Sequence, residues 1–478
     1  MRLLFLAAEA APLIKVGGLA DVAGDLPRAL IDLGVEARLA IPFHPGSDTS
    51  GLTLRRAASI QLLSDGGPTR AEILVSEVDG LPLLLIGGEP IRSARSVYSD
   101  AAGDGRKYVF FSLAALAACK ALSWQPDVVH ANDWHTAPVV LWLAAHRAED
   151  PFWRSVATVL TVHNLAYMGS GSEQALGDYG LASSPDERLP LWARSLPLPL
   201  GLVAADWLTT VSPSYAQEIQ TSGLGCGLEN LLADRRAHLT GILNGIGLRR
   251  WDPSRDPALA APFSADDRAP RLANKRALQA ELGLPAEPDV PLLAMVTRLD
   301  HQKGVDLALS ALETLAGAPW QFILLGSGDK DLESKARSIL NLFPAKARAV
   351  FRFDPALSHR IYSGADILLV PSRYEPCGLA QMIGMRYGCL PIVRSTGGLR
   401  DTVVDERAGA LGTGFVFAAE EASALAEATR RAFEVYAQRG RWGALQRRAM
   451  TTDFSWGRSA EKYLEVYRQA TEAGIAKM

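Results

Sequence analysis

Apolar residues fall into two recurring patterns along this chain. Short runs rich in leucine, isoleucine and valine alternate with longer stretches in which apolar positions recur every three or four residues. The runs "RLLFLA", "EARLAI", "DVVHA", "VATVLTV" and "WLTTV" read as strands of a first half, and "PLLAMV", "QFILLG", "AVFRF", "DILLVPS" and "CLPIV" as strands of a second. Runs apolar at every position are buried on both faces, as in parallel sheets covered by helices. Strand and helix alternating through both halves predicts an α/β chain with a doubly wound parallel sheet in each.

The rhythm breaks once. "WDPSRDPALAAPFSADDRAP", residues 251–270, is rich in proline and charge and precedes a fresh helix-strand start, so the domain boundary is expected near residues 241–252. This predicts a first Rossmann-like domain over 1–245, a second over 246–455, and a C-terminal helix over 456–478 packing back on the first. Two such sheets facing one another leave a deep cleft, with ligands beyond the carboxyl ends of the strands.

Composition changes the picture little. The 478 residues carry a net charge near −3 and are 48% hydrophobic and 21% charged, so nothing points to nucleic acid or an anionic membrane. Cys119, Cys226, Cys377 and Cys389 lack zinc-type spacing and are too few for a disulfide scaffold, which fits a cytoplasmic protein. No stretch has the ~20 apolar residues that span a bilayer. The opening "MRLLFLAAEAAP" imitates a signal peptide, but its apolar run is short and Glu9 stands beside the imitation cleavage site. An opening strand is the better reading.

Candidate chemistry collects where strands end. After the first strand comes "KVGGLADVAGDLPRALIDLG", residues 15–34, with Leu19, Val22, Ala23, Leu26, Leu30 and Leu33 at helical spacing and Gly34 at the helix end. Pro27 has no N–H to bond residue 23 and is expected to disturb this helix. Gly17 and Gly18 allow close backbone approach, the helix N-terminus favours an anion, and Lys15 adds a full charge. A tight structural turn explains the glycines equally well when they are taken alone. GxGxxG and GxxxxGK[ST] are both absent. "HANDWHTAP" places His130, Asp133 and His135 after a strand, and "TVHNLAY" places His163 and Asn164 after another. Their short spacings are commonplace, so no metal is expected; hydrogen bonding to a hydroxyl-rich ligand is favoured over metal ligation, with capping and turn roles as the structural alternative.

In the second half, "TRLDHQKGVDL" brings Arg298 to a strand end and Lys303 to the loop that follows, a pair suited to a diphosphate, with a solvated pair of surface cations as the alternative. "LGSGD" at 325–329 is a glycine turn for backbone geometry or a nucleoside. Glu375 in "VPSRYEPCGLAQ" is a carboxylate able to accept sugar hydroxyls or stabilise positive charge at a sugar carbon. "STGGLRDTV" repeats the glycine pair of residues 17–18 ahead of another helix.

Taken together and in order, "KVGGLADV", "HANDWHT", "TVHNLAYMG", "TVSPSYAQEI", "GILNGI", "TRLDHQKGVDL", "PSRYEPCGLAQ", "RSTGGLRDTV" and "DFSWGRSAEKY" resemble the bacterial glycogen synthases and plant starch synthases over nearly the whole chain. The resemblance implies a GT-B fold and retaining transfer of glucose from ADP-glucose, or sometimes UDP-glucose, to the nonreducing 4-hydroxyl of an α-1,4-glucan such as glycogen, without metal or other cofactor. It implies that Lys15, Gly17 and Gly18, with Asp21 nearby, meet the diphosphate and glucose. Arg298 and Lys303 would neutralise the diphosphate, while Glu375 and the Cys377, Gly378 and Leu379 backbone hold the glucose. His163 would sit by the reacting centre, Asp133 on the acceptor side and Asn244 in the cleft; Thr396, Gly397 and Gly398 would form the second sugar- and phosphate-facing turn.

Several positions depart from the family pattern: Gly247 stands for an acidic residue, Asn230 for a glycine, and Pro197 and Pro199 replace a lysine-containing stretch. Residues 168–200 are also short of aromatics. These departures concern the acceptor side, and they make a weak or inactive accessory paralogue the second reading. A GT-B enzyme with another acceptor is a third. A glucan phosphorylase is disfavoured, since nothing marks a pyridoxal lysine.

Overall fold

The computed structural model describes residues 1–181 and 183–476. Residue 182, within the aromatic-poor stretch, and residues 477 and 478, at the end of the expected C-terminal helix, lie outside the described residues. The chain divides into two compact units: Met1–Gly245 together with the segment from Ser455 onward, and Ile246–Phe454.

The first unit contains β1 (Arg2–Leu6), β2 (Glu36–Pro42), β3 (Arg55–Leu62), β4 (Thr69–Val78), β5 (Leu81–Gly88), β6 (Val128–Asn132), β7 (Ala157–Val162), β8 (Trp207–Thr210) and β9 (Leu239–Gly241). They form one sheet in the order β3-β4-β5-β2-β1-β6-β7-β8-β9. The stretch that imitates a signal peptide supplies β1, a central strand whose Leu3, Leu4, Phe5 and Leu6 are fully buried. Its neighbours β2 and β6 both run parallel to it, so the order reverses beside β1. Loops diverge at such a reversal and leave a crevice at the strand carboxyl ends.

The sheet is not wholly parallel, contrary to the sequence expectation. Strands β3 and β4 and strands β4 and β5 pair antiparallel at one edge. The edge strand "RRAASIQL" is exposed or half-buried throughout, so it lacks the apolar run by which buried strands are recognised.

The helix Gly18–Asp32 also departs from expectation, running through Pro27 without a break. Pro27 removes one hydrogen bond, but Val22, Ala23, Leu26 and Leu30 around it are all buried, so packing carries the helix across. The helix Trp456–Ala476 packs on that helix and on β7 and β8 within this unit, burying Tyr463, Tyr467 and Ala470. Pro197 and Pro199 open the helix Pro197–Ala204, where Pro197 occupies a first-turn position that needs no N–H.

The second unit contains β10 (Leu292–Val296), β11 (Gln321–Leu325), β12 (Ala347–Val350), β13 (Ile367–Val370), β14 (Leu390–Arg394) and β15 (Phe415–Phe417). Its sheet is parallel, in the order β12-β11-β10-β13-β14-β15, and it reverses between β10 and β13. No helix among the described residues is long and apolar enough to cross a membrane.

Candidate active site

In the first unit, the carboxyl ends of β1, β6 and β7 bring the predicted residues together. Lys15 follows β1, and its ammonium lies 2.7 and 2.5 Å from the two carboxylate oxygens of Asp21, in the first turn of the helix Gly18–Asp32. The Gly17 amide does not point at open space. It donates to the buried Glu9 carboxylate at 3.0 Å, and the Val16 amide donates to the same group. Glu9 thus occupies amides that the sequence reading directs at a phosphate.

Asp133 begins the helix Asp133–His146 with a left-handed φ of 57°, a conformation that costs a non-glycine residue energy and recurs at functional sites. Its carboxylate accepts from the His163 amide at 2.7 Å, fixing the turn after β7 against the turn after β6. Burial outweighs those amide bonds and pushes the Asp133 carboxyl up to about 7. His163 has its own fixed state. Asn132 donates through Nδ2 to the Leu6 carbonyl, so its Oδ1 accepts from His163 Nε2 at 2.8 Å and leaves Nδ1 as the acceptor. Burial holds His163 down to about 3, a neutral ring at physiological pH.

His130 is not part of this site. It is completely buried, bonding Tyr467 through Nδ1 at 2.8 Å and Thr161 through Nε2 at 2.6 Å. A histidine inside a strand points into the layers rather than out of the strand end, and the sequence grouping overlooked that. His135 does stay nearby, with its ring 5.2 Å from that of Tyr98 and its Nδ1 buried without a hydrogen-bond partner. Asn244, beyond β9, is likewise buried with an unpartnered Oδ1. Buried polar atoms left without a partner are what a hydroxyl-rich ligand would satisfy.

In the second unit the elements flanking the β10–β13 reversal converge. Lys303 lies 2.9 and 2.7 Å from the Glu375 oxygens, and Ser372 donates to the same carboxylate at 2.8 Å. The two loops are tied together besides: the Arg373 amide donates to the Gln302 carbonyl at 2.7 Å, and Gln302 Nε2 to the Tyr374 carbonyl at 3.1 Å. Arg373 itself forks onto Asp306 at 2.8 Å. Arg298 stands exposed at the end of β10, 3.2 Å from Asp300.

The turn after β14 completes the group. The Gly398 amide donates to the Glu375 carbonyl at 3.0 Å, and a Cβ on Gly398 would collide with Cys377. Glycine there is a requirement of close approach. Thr396 and Cys377 are buried, while Gly378 and Leu379 are half-buried beside them. The helix Gly397–Thr402 has six residues, so its dipole is far weaker than that of the first glycine pair's helix.

Sequence reasoning missed Glu9, Tyr98, Ser372 and the Gln302–Arg373 ties, none of which carries a spacing signal. It also missed Phe353, 73% exposed just past the end of β12. An aromatic that exposed at a strand's carboxyl end offers a stacking face, and its place after an apolar run was the available clue. On the first unit Tyr167 and Trp192 are 53% and 51% exposed, so the stretch around 168–200 does present aromatic faces. Among the described residues no group of three or more His, Cys, Asp or Glu side chains is placed to hold a metal.

Comparison with known proteins covers both units. A family model described as the starch synthase catalytic domain matches residues 2–234, and one described as glycosyl transferases group 1 matches residues 280–448. A glycogen synthase of Syntrophotalea carbinolica is 40% identical over 99% of this chain and 99% of its own. One from Anaeromyxobacter dehalogenans is 43% identical, covering 98% and 99%. The catalytic domain of starch synthase IV from Arabidopsis thaliana, solved bound to ADP and acarbose, superposes with a TM-score of 0.92 at 34% identity, covering 98% of this chain and 99% of that one. A sucrose-phosphate synthase from Thermosynechococcus elongatus shares the fold at a TM-score of 0.63 and 19% identity.

Proposed function

The chain belongs to the glycogen synthase and starch synthase family, and from that premise we propose that it elongates an α-1,4-glucan at the nonreducing 4-hydroxyl with ADP-glucose as the preferred donor. The glucosyltransferase activity follows from full-length relatives at about 40% identity. The donor preference is supported by the Arabidopsis relative, which was solved with ADP.

The Lys303–Glu375–Ser372 group carries the residue assignments, since it joins a cation and a carboxylate on loops fixed to one another. Arg298 and Lys303 take the diphosphate, and Phe353 gives the base a stacking face. Glu375 with the Cys377–Leu379 backbone and the Thr396–Gly398 turn holds the glucose. From the first unit Lys15, set by Asp21, and the backbone at Gly18 act on the diphosphate and glucose, while Gly17, its amide held by Glu9, shapes the turn. His163 lies by the reacting carbon, Asp133 on the acceptor side, and Asn244 supplies an open acceptor. Tyr167 and Trp192 offer ring faces to the glucan.

Departure of the nucleotide leaves roughly two to three negative charges on its diphosphate, which fixed cations and amides stabilise where water is excluded. The acceptor hydroxyl passes its proton to the departing phosphate oxygen, so no hydrolase-type carboxylate pair is needed. His163, neutral and committed through Nε2, is suited to hydrogen bonding rather than proton uptake. The test compares glucan-dependent release of ADP and UDP from the two glucose donors with glycogen added. ADP-glucose should turn over at least about tenfold faster. Equal rates would sink the preference, and donor binding without glucan-dependent release would sink the elongation reading.

A further inference from the structure

Glu9 is the least explained charge in the first unit. It is 1% exposed, and among the described residues no cation pairs with it. Burying a carboxylate without a counter-ion is costly unless its oxygens are filled with hydrogen bonds. Here they are filled from two sides. The amides of Val16 and Gly17 donate from the turn after Lys15, and the Tyr98 hydroxyl donates to Oε1 at 3.2 Å.

Tyr98 stands in turn on a rigid base. Lys107 is fully buried and donates to the Val97 carbonyl at 2.6 Å and to Asp104 at 2.7 Å. Asp104 accepts from both the amide and the hydroxyl of Ser99, at 2.9 and 2.7 Å. The segment on either side of Tyr98 is therefore clamped to the helix Ala101–Ala121.

Apart from the Lys15 ammonium's pair with Asp21, little else fixes the peptide between Lys15 and Gly18. Ile14 bonds back to Ala10 on one side, and the helix starts at Gly18 on the other. Val16 projects its side chain outward, 54% exposed, so apolar packing does not hold the turn. The amides of Val16 and Gly17 are its handles, and one carboxylate grips both. Gly17 also lets that carboxylate approach, because a Cβ there would come within 3.2 Å of Oε1.

We propose that Glu9 is a positioning residue for glucosyl transfer, setting the Lys15 ammonium by fixing the Val16–Gly17 amides. Its hydrogen bonds go to Val16, Gly17 and Tyr98 and none to Lys15, so its effect on the ammonium runs through the turn. The proposal rests on the assignment of Lys15 to the donor made above.

A double-mutant cycle on the full-length protein separates the two claims. Glu9→Ala should lower kcat/KM about 100-fold, the scale of a roughly 1 Å misplacement. Added to Lys15→Ala it should cause no further loss, because the group it positions is gone. Glu9→Gln keeps an oxygen for the two amides and should retain activity within about tenfold of wild type, a rescue that loss of buried charge alone would not give. Should Glu9→Ala fail to fold, Glu9→Gln and Glu9→Asp, the latter retracting both oxygens by one methylene, go through the same cycle. Additive losses, or wild-type kcat/KM in every folded Glu9 variant, would overturn the proposal. Wild-type activity in Lys15→Ala itself would instead overturn the assignment of Lys15.

Discussion

Lys303 and Glu375 neutralise one another, the ammonium bridging both carboxylate oxygens with 18% and 8% of the two side chains exposed. On the proposed assignment, a diphosphate arriving at Lys303 would draw the cation partly away from Glu375 and free the carboxylate for the sugar. The pair would then couple phosphate binding to sugar binding. Glu375→Ala should reduce glucan-dependent ADP release at least about 100-fold by removing charge stabilisation in the transition state. Lys303→Ala should fall similarly, and the double variant should lose less than the product of the two. Near-normal turnover in Glu375→Ala would show the role to be wrong.

Gly398→Ala places a methyl group against Cys377 and must push the Glu375 loop away. Its kcat/KM is expected to drop by roughly 10- to 100-fold. Gly440→Ala makes the matched control, since nothing lies within 4 Å of a Cβ there. Equal activities in the two variants would mean that the close approach of the two turns does not matter.

Asp133 makes stability depend on pH in an unusual direction. Its carboxyl titrates at about 7 when folded against an ordinary 3.8, so between those values the folded state holds the extra proton. Stability from this group therefore falls as pH rises through that window and levels off above it. Asp133→Asn keeps an oxygen for the His163 amide and removes the titration. The variant's gain in urea stability should be larger at pH 8 than at pH 5, by roughly 2 kcal/mol. A gain independent of pH would contradict the account.

Tyr467→Phe removes the partner of His130 Nδ1 while leaving the ring in place. The orphaned nitrogen should cost about 1–3 kcal/mol in urea unfolding. Turnover at temperatures well below the melting transition should be unchanged, because His130 lies in the layers of the sheet. A selective loss of kcat at unchanged stability would move His130 back into the site.

How much of this was legible depended on whether a residue's function shows in spacing along the chain. Strands β10 and β13 are continuous apolar runs and β1 and β6 are fully or largely buried, and Lys15, Asp133, Arg298 and Glu375 follow strand ends, so the strand-end argument found them. The antiparallel edge β3–β5 was missed because its outer strand is exposed or half-buried along its length and has no continuous apolar run. His130 was misplaced because it lies within β6 while Asp133 lies just beyond it. Glu9 and Tyr98 meet across 89 positions, and no local pattern records such a meeting.

The first unit is opened by β1 and closed by the helix Trp456–Ala476, with Ile246–Phe454 inserted between them. During synthesis the inserted unit is complete before the outer one has its last helix. Until residues 456–470 emerge, the surfaces of Gly18–Asp32 and β7 that they cover stay wet, and His130 lacks its tyrosine. The unit begun first on the ribosome is finished last, so a nascent chain that has emerged only as far as Phe454 would carry a complete second unit behind an unfinished first one.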